Sequence, residues 1–318
     1  MTKNRFGIVL ISLILILMII AGQITTIQVN QEAQNAKVTY TIGYLPITHA
    51  LPIFEEKELL EKENSNIQIK LQKFSSWSDL TDALHAGKID GASELIELAM
   101  SAKAKGIDLK AVALGHKDGN VIVVNDSIQS ASDLVGKTIA IPSTQSSHYI
   151  LLIEELEKAG LSLSDIQVTQ LAPSEMPSSL ASGAIDGYCV AEPFGAQAVT
   201  QNYGHVLARS DDLWEDSVCC GLIFRNEVIQ KDKTSFNTFL KAYKRAGNRL
   251  NTKEATRIAK KYLGQEAKTL KTSLKWISYD DLEITKETYQ ELYEKVNANQ
   301  MIENAPTYQD FVYTTKGA

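Results

Sequence analysis

Cysteine is scarce in this chain: three residues in 318, Cys189, Cys219 and Cys220, two of them adjacent. An odd count with an adjacent pair does not make a stabilising disulfide framework. Buried free thiols are expected instead, because free cysteine packs as a small hydrophobe. The rival reading is a single bridge from Cys189 to Cys219 or Cys220. Positive charge is also short, with 32 Lys and Arg against 38 Asp and Glu for a net charge of −6. No basic face is left to neutralise phosphates, which argues against nucleic acid as a partner. No Gly-x-Ser-x-Gly elbow, phosphate loop or dinucleotide fingerprint is present. His49, His116, His148, Glu94 and Glu192 have metal-ligand chemistry, but no short spacing such as His-x-x-x-His links them, so neither a metal site nor a cofactor is expected.

What is present begins at the N-terminus. Lys3 and Arg5 precede an uncharged apolar run from Phe6 to Gly22. As a helix this run would reach about 25 Å at about 1.5 Å per residue, slightly short of a bilayer core. It reads as a signal peptide or a short anchor, with an uncleaved anchor slightly favoured by the poor cleavage site around Ala21. No cysteine stands directly after the run, the first being Cys189, so a lipid-modified N-terminus is not expected. Positive residues before it place the N-terminus inside and the rest of the chain at the outer face of the cytoplasmic membrane. Residues 23–36 are polar and aperiodic, a stalk between membrane and fold.

From Lys37 onward, strand and helix patterns alternate, which means sheets covered by helices. The pattern predicts strands over Lys37 to Tyr44, Asn66 to Phe74, Ile89 to Ala92 and Leu109 to Leu114. It predicts helices over Ala50 to Lys62, Ser76 to Ala86 and Ser93 to Lys105, with Ser76 as an N-cap and Gly87 as a C-cap. An internal repeat organises the first two thirds. Ile42-Gly43-Tyr44-Leu45-Pro46 has a counterpart in Ile139-Ala140-Ile141-Pro142, and Pro46 and Pro142 are 96 positions apart. Leu84-His85-Ala86-Gly87-Lys88-Ile89-Asp90-Gly91 matches Leu180-Ala181-Ser182-Gly183-Ala184-Ile185-Asp186-Gly187 at the same offset. Two related α/β lobes follow, with ligand-binding loops at the carboxyl ends of their strands and a cleft between them. From about Arg225 the chain is helical and is expected to pack back on the first lobe.

The Tyr44-Leu45-Pro46 start, Leu84 to Ala92, Gly136 to Pro142 and Gly187-Tyr188-Cys189-Val190-Ala191-Glu192-Pro193 form an ordered set. It resembles the substrate-binding proteins of the nitrate/sulfonate/taurine importers, a group that includes binders of thiamin pyrimidine precursors. The resemblance implies an α/β, two-lobed periplasmic-binding-protein-like fold (type II), each lobe a mixed, mostly parallel sheet flanked by helices. It implies lobe 1 over 37–119 and 221–318 and lobe 2 over 120–220, with crossovers near Lys117 to Asn120 and Cys220 to Phe224. It also implies a small nitrogen- or sulfur-containing solute, cleft closure, and ABC permease and ATPase subunits as partners. Proteins that synthesise pyrimidine precursors share the fold, so an enzyme is the alternative.

The candidate ligand-binding residues follow predicted strands. They are Thr48 and His49, Trp77, Ser93 and Glu94, and His116 in the first lobe. In the second they are Ser146, Ser147, His148 and Glu192. Ser146 and Ser147 open a helix, where free amides attract anions or serve as a plain cap. Trp77 reads as a loop-tip ring that stacks on a planar ligand. His49, His116 and His148 on converging loops suggest hydrogen bonding to a ligand. Glu94 and Glu192 are either helix N-terminal carboxylates or acceptors for ligand N–H groups. With Trp77, they point mildly to a ring-containing nitrogenous solute.

Overall fold

The computed structural model describes residues 37–315 and, before them, Met18 alone. Apart from that methionine, the expected membrane segment and stalk lie outside the described residues.

In the first lobe, β1 (Val38–Tyr44), α1 (Leu51–Lys62), β2 (Ile67–Lys73), α2 (Trp77–His85), β3 (Gly91–Leu95), α3 (Ile96–Ala104) and β4 (Leu109–Leu114) follow one another. A short strand, β5 (Lys117–Asp118), leads into the second lobe. There the order is β6 (Asn120–Val124), β7 (Thr138–Ile141), α4 (Ser147–Lys158), β8 (Gln167–Gln170), α5 (Met176–Ala181), β9 (Gly187–Ala191), α6 (Phe194–Thr200) and β10 (His205–Arg209). After α7 (Ser210–Leu213), the chain returns through β11 (Cys220–Arg225) to the first sheet. The two five-stranded sheets run β2-β1-β3-β11-β4 and β10-β6-β9-β7-β8. Each has a parallel core, β2-β1-β3 in one and β8-β7-β9 in the other, with antiparallel strands added beside it. The fold is the α/β binding-protein architecture with two mixed sheets that the sequence predicts.

The repeated segment explains why the halves match. Gly87 and Gly183 end their helices at φ 67 and 74, a left-handed conformation that glycine adopts without strain. Ile89 and Ile185 then enter the two cores, 1% and 4% exposed. Asp90 accepts the Thr41 amide at 2.7 Å, and Asp186 accepts the Thr138 amide at 2.9 Å. Gly91 and Gly187 follow where a Cβ would sit 2.8 Å from a neighbouring carbonyl oxygen. The motif is a structural joint, used twice.

β2 buries Ile67 and Ile69 and exposes Gln68 and Lys70, the alternation of a half-buried strand. β3 is longer than predicted and starts later. Ser93 and Glu94 lie inside it, paired with Leu222 and Gly221 of β11. The antiparallel return strand, distant in sequence, holds them in the sheet and delays α3 to Ile96.

The tail begins with α8 (Asn226–Lys231) and α9 (Lys233–Arg249), then α10 (Thr252–Leu263) and α11 (Ala267–Ser273). The strand β12 (Ile277–Ser278) and the helices α12 (Lys286–Ala298) and α13 (Tyr308–Phe311) complete it. α9 buries Phe236, Phe239 and Tyr243, and Phe236 and Phe239 meet Tyr40 and Phe224 in an aromatic cluster. Contrary to expectation, the tail also reaches the second lobe. Thr269 of α11 bonds Thr200 of α6 at 3.0 Å, and Gln145 donates to Met301 O at 3.3 Å. The tail is amphipathic enough to cover both sheets' flanking helices, so it bridges the lobes rather than capping one.

Candidate functional site

The two chain crossings between lobes lie side by side. Asp118 donates its amide to Ser217 O at 3.1 Å and accepts the Ser217 amide and hydroxyl on its carboxylate, each at 3.1 Å. Gly115 donates to Cys220 O at 2.8 Å. His116 rides on the first crossing, and Cys219 and Cys220 ride on the second. The turn after β1 brings Thr48 and His49 to the same place.

Thr48 joins the lobes directly. Its amide and its hydroxyl both donate to Glu192 O, at 2.8 and 2.9 Å, while Thr48 O accepts the Tyr279 hydroxyl at 2.9 Å. Beside it, His49 and His116 stack with ring centroids 3.4 Å apart. His49 Nε2 lies 3.2 Å from Gly119 O, and Nδ1 lies 3.4 Å from Cys220 Sγ. The carbonyl fixes the tautomer: Nε2 carries the hydrogen, and the Nδ1 lone pair faces the thiol. The Cys220 amide donates to His116 Nε2 at 3.3 Å, and His116 Nδ1 is buried without a partner. Both ring nitrogens of His148, on the second lobe, are 4.0 Å from Cys219 Sγ.

All of these groups are buried. Thr48, His49, Glu94, His116, Ser146, Ser147, His148 and Glu192 are 0% exposed, and Ser93 is 3%. Burial and the neighbouring His116 ring lower the His49 pKa to about 4, so the ring is neutral at physiological pH. Burial raises Glu94 to about 7, against a Thr81 hydroxyl that donates to it. Burial likewise raises Glu192 to about 8, although its carboxylate accepts the Ala196 amide at 3.0 Å. Burial would also raise Cys219, but the Cys220 thiol and the His148 and His116 rings outweigh it and hold the thiol well below its usual range. Cys220 itself is pushed well up by burial. Among the described residues, no lysine or arginine is buried. The site therefore offers imidazole, sulfur and carboxyl lone pairs, with no lysine or arginine among them.

Ser93 is held within β3, and the other predicted residues sort into four groups. Thr48, His49, His116 and His148 converge around Cys219 and Cys220. Glu94 is buried in β3 with Oε2 unpartnered, and Ser147 at the start of α4 has an unpartnered hydroxyl. Ser146 and the Glu192 side chain do plainer work. Ser146 Oγ accepts the Tyr149 amide at 3.4 Å as an N-cap, and Glu192 holds the first turn of its own helix. Trp77 is not at a loop tip. Ser76 caps α2 by accepting the Asp79 amide at 3.2 Å, so the helix starts at Trp77, which is only 5% exposed. Its ring lines a groove of about 390 Å³ between the lobes, together with Thr81, Pro142, Gln170 and Glu175, and its Nε1 has no partner.

Sequence reasoning missed Glu97 and Tyr279. Glu97 follows β3 in the first turn of α3, fully buried with both carboxyl oxygens unpartnered. A glutamate in the apolar context Leu95-Ile96-Glu97-Leu98 was the available signal. It also passed over the cysteines as a binding group. All three are free and buried, as composition suggested. However, His49, His116, Cys219 and Cys220 place one ligand-type atom each within 4.8 Å of one another. The expectation of no metal site rested on short spacings, and these donors come from three separate segments.

Two mixed sheets, two adjoining crossings and a buried polar site between the lobes define the class of two-lobed solute-binding folds. The chain belongs to the NMT1-like family, whose pattern matches residues 33–264. It is 37% identical to the ligand-binding component of an ABC-type import system from Staphylococcus aureus, solved with zinc bound, at a TM-score of 0.84 over 87% of this chain and 97% of that one. The alkanesulfonate-binding protein SsuA from Xanthomonas axonopodis pv. citri, bound to MOPS, shares the fold at 20% identity and a TM-score of 0.75, covering 88% and 100%. Among curated proteins, the nitrate import ATP-binding protein NrtC of Synechocystis is 27% identical over 229 residues, 65% of this chain and 34% of that protein. The chain thus spans about a third of the length of that relative.

Proposed function

We propose that this chain is the extracytoplasmic solute-binding component of an ABC importer, non-catalytic, which closes its lobes on a small neutral or cationic solute and presents it to a permease. One observation carries this reading: polar groups from both lobes are fully buried together at the crossings, with no lysine or arginine among them. A bare anion such as nitrate or a sulfonate would enter that site without a counter-charge, and burying an unpaired charge is costly. The imidazole, sulfur and carboxyl lone pairs gathered there instead suit a solute that accepts them. The staphylococcal relative, an import component with zinc bound, supports both the importer role and a cationic solute. Partners are then a permease and an ATPase, and the N-terminal apolar run would hold the protein at the outer face of the membrane.

The test is a thermal-shift screen of the full-length protein against zinc, nitrate, alkylsulfonates, taurine and pyrimidines, followed by uptake of any hit in cells lacking the chain. Stabilisation by a neutral or cationic solute, with loss of its uptake in the deletion strain, is the expected result. Stabilisation by nitrate or sulfonates alone, or chemical turnover of a bound compound, would overturn the proposal.

A further inference from the structure

The importer reading leaves the solute's chemistry open, and the arrangement at the crossings narrows it. We propose that His49, His116, Cys219 and Cys220 form a binding site for a thiophilic divalent cation of the zinc class, deepening the importer reading, on which the ion's role as solute rests.

Donor geometry is the first argument. Tetrahedral zinc, with bonds of about 2.3 Å to sulfur and about 2.0 Å to nitrogen, sets its sulfurs about 3.8 Å apart and its sulfur–nitrogen pairs about 3.5 Å apart. Cys219 Sγ and Cys220 Sγ are 3.9 Å apart, and Cys220 Sγ and His49 Nδ1 are 3.4 Å apart. The four donor atoms lie within 4.8 Å of one another. This cluster already approximates the edges of the coordination polyhedron.

Donor orientation is the second. Metal-bound histidine usually donates its other N–H to a carbonyl or carboxylate, which aims the free lone pair. The Gly119 carbonyl does this for His49. His116 Nε2 faces the Cys220 amide, so that lone pair also points at the cluster, and an incoming ion would take it in place of the amide hydrogen. His116 Nδ1 is buried and unpartnered, an uncommon situation for a ring packed only for stability.

Donor type is the third. Two sulfurs and two imidazoles, with no oxygen in the set, favour zinc and similarly soft ions over magnesium and calcium, which prefer carboxylates, carbonyls and water. Among the described residues, the hydrogen-bond-distance partners of these two sulfurs are each other and imidazole nitrogens, which are weak partners for buried thiols.

The full-length protein, stripped of metal and kept reduced, should take up one cobalt(II) ion per chain. Cobalt should show the strong visible bands of tetrahedral coordination and a thiolate-to-metal charge-transfer band. Zinc should displace it stoichiometrically, and magnesium in large excess should not. Cys220→Ser and His116→Asn should each weaken zinc binding at least about tenfold, while His205→Asn, on the half-buried edge strand β10 of the second lobe, should not. If a variant fails to fold, the wild-type cobalt spectrum still decides. Faint octahedral bands without charge transfer, or displacement by magnesium, would overturn the site while leaving an importer of some other solute in place. The expected spectrum together with undiminished zinc uptake in cells lacking the chain would instead overturn the importer role and leave the site standing.

Discussion

Thr48 of the first lobe gives two hydrogens to one acceptor of the second, Glu192 O, at 2.8 Å from its amide and 2.9 Å from its hydroxyl. The contact is a latch between the lobes. Thr48→Val keeps the shape and the amide bond but deletes the hydroxyl. A buried hydrogen bond contributes about 1 kcal/mol net, so the open form should gain about fivefold on the closed one. Solute affinity, measured calorimetrically, should fall by the same factor. Unchanged affinity would show that the latch carries no closing energy.

Trp77 now carries a different expectation from the one its sequence position suggested. A loop-tip ring would bind ligand without supporting the fold, but Trp77 is 5% exposed at the head of α2. Trp77→Ala should therefore cost the ligand-free protein about 3–5 kcal/mol, typical of a buried aromatic. Trp77→Phe should restore most of it. Urea denaturation measures both.

Glu192 gives a pH signature. Its pKa rises from the usual carboxylate range to about 8 in the fold because it is buried. A folded value above the unfolded one means the native state holds its proton more tightly. That stabilisation is complete below about pH 4.5 and is lost as the pH rises through 8. Other buried groups titrate nearby in opposite senses, so the difference between wild type and Glu192→Gln isolates it. The glutamine variant should gain on wild type by at most about 1.4 kcal/mol per pH unit between pH 5 and 8, then hold level. A gap that does not change with pH would mean the carboxyl is ionised throughout.

The thiols supply a simple count. Cys189, Cys219 and Cys220 are free and buried, so all three should react in denaturant without reductant, and scarcely at all in the folded, metal-free protein. Recovery of a single thiol before reduction would indicate the bridge that the sequence left open.

Much of the fold was legible because the repeat is spelled out in glycine, isoleucine and aspartate, each with a local task at Gly87, Ile89 and Asp90 and again at Gly183, Ile185 and Asp186. Strand ends were less so. Ser93 and Glu94 read as the start of a helix because nothing local reveals that β11 will pair along β3. The three histidines were recognisable by their positions after strands, and the structure gathers all three around the adjacent cysteines. Their joint chemistry was hidden because the donors are spread over three segments that meet only when the chain crosses twice between lobes. Tyr279, bonded to Thr48 O, comes from a tail with no sequence relation to either half.

The Asp118–Ser217 tie joins the two crossings between the lobes, which is where a closing motion would pivot. With His116 and the cysteine pair riding on the tied strands, the atoms that would grip an ion sit at the fulcrum. On the proposed closure, a small tightening there would become a larger swing at the outer rims, since displacement grows with distance from the pivot. What a transporter would feel is the travel of those rims, reporting from afar on whether a few buried lone pairs have been claimed.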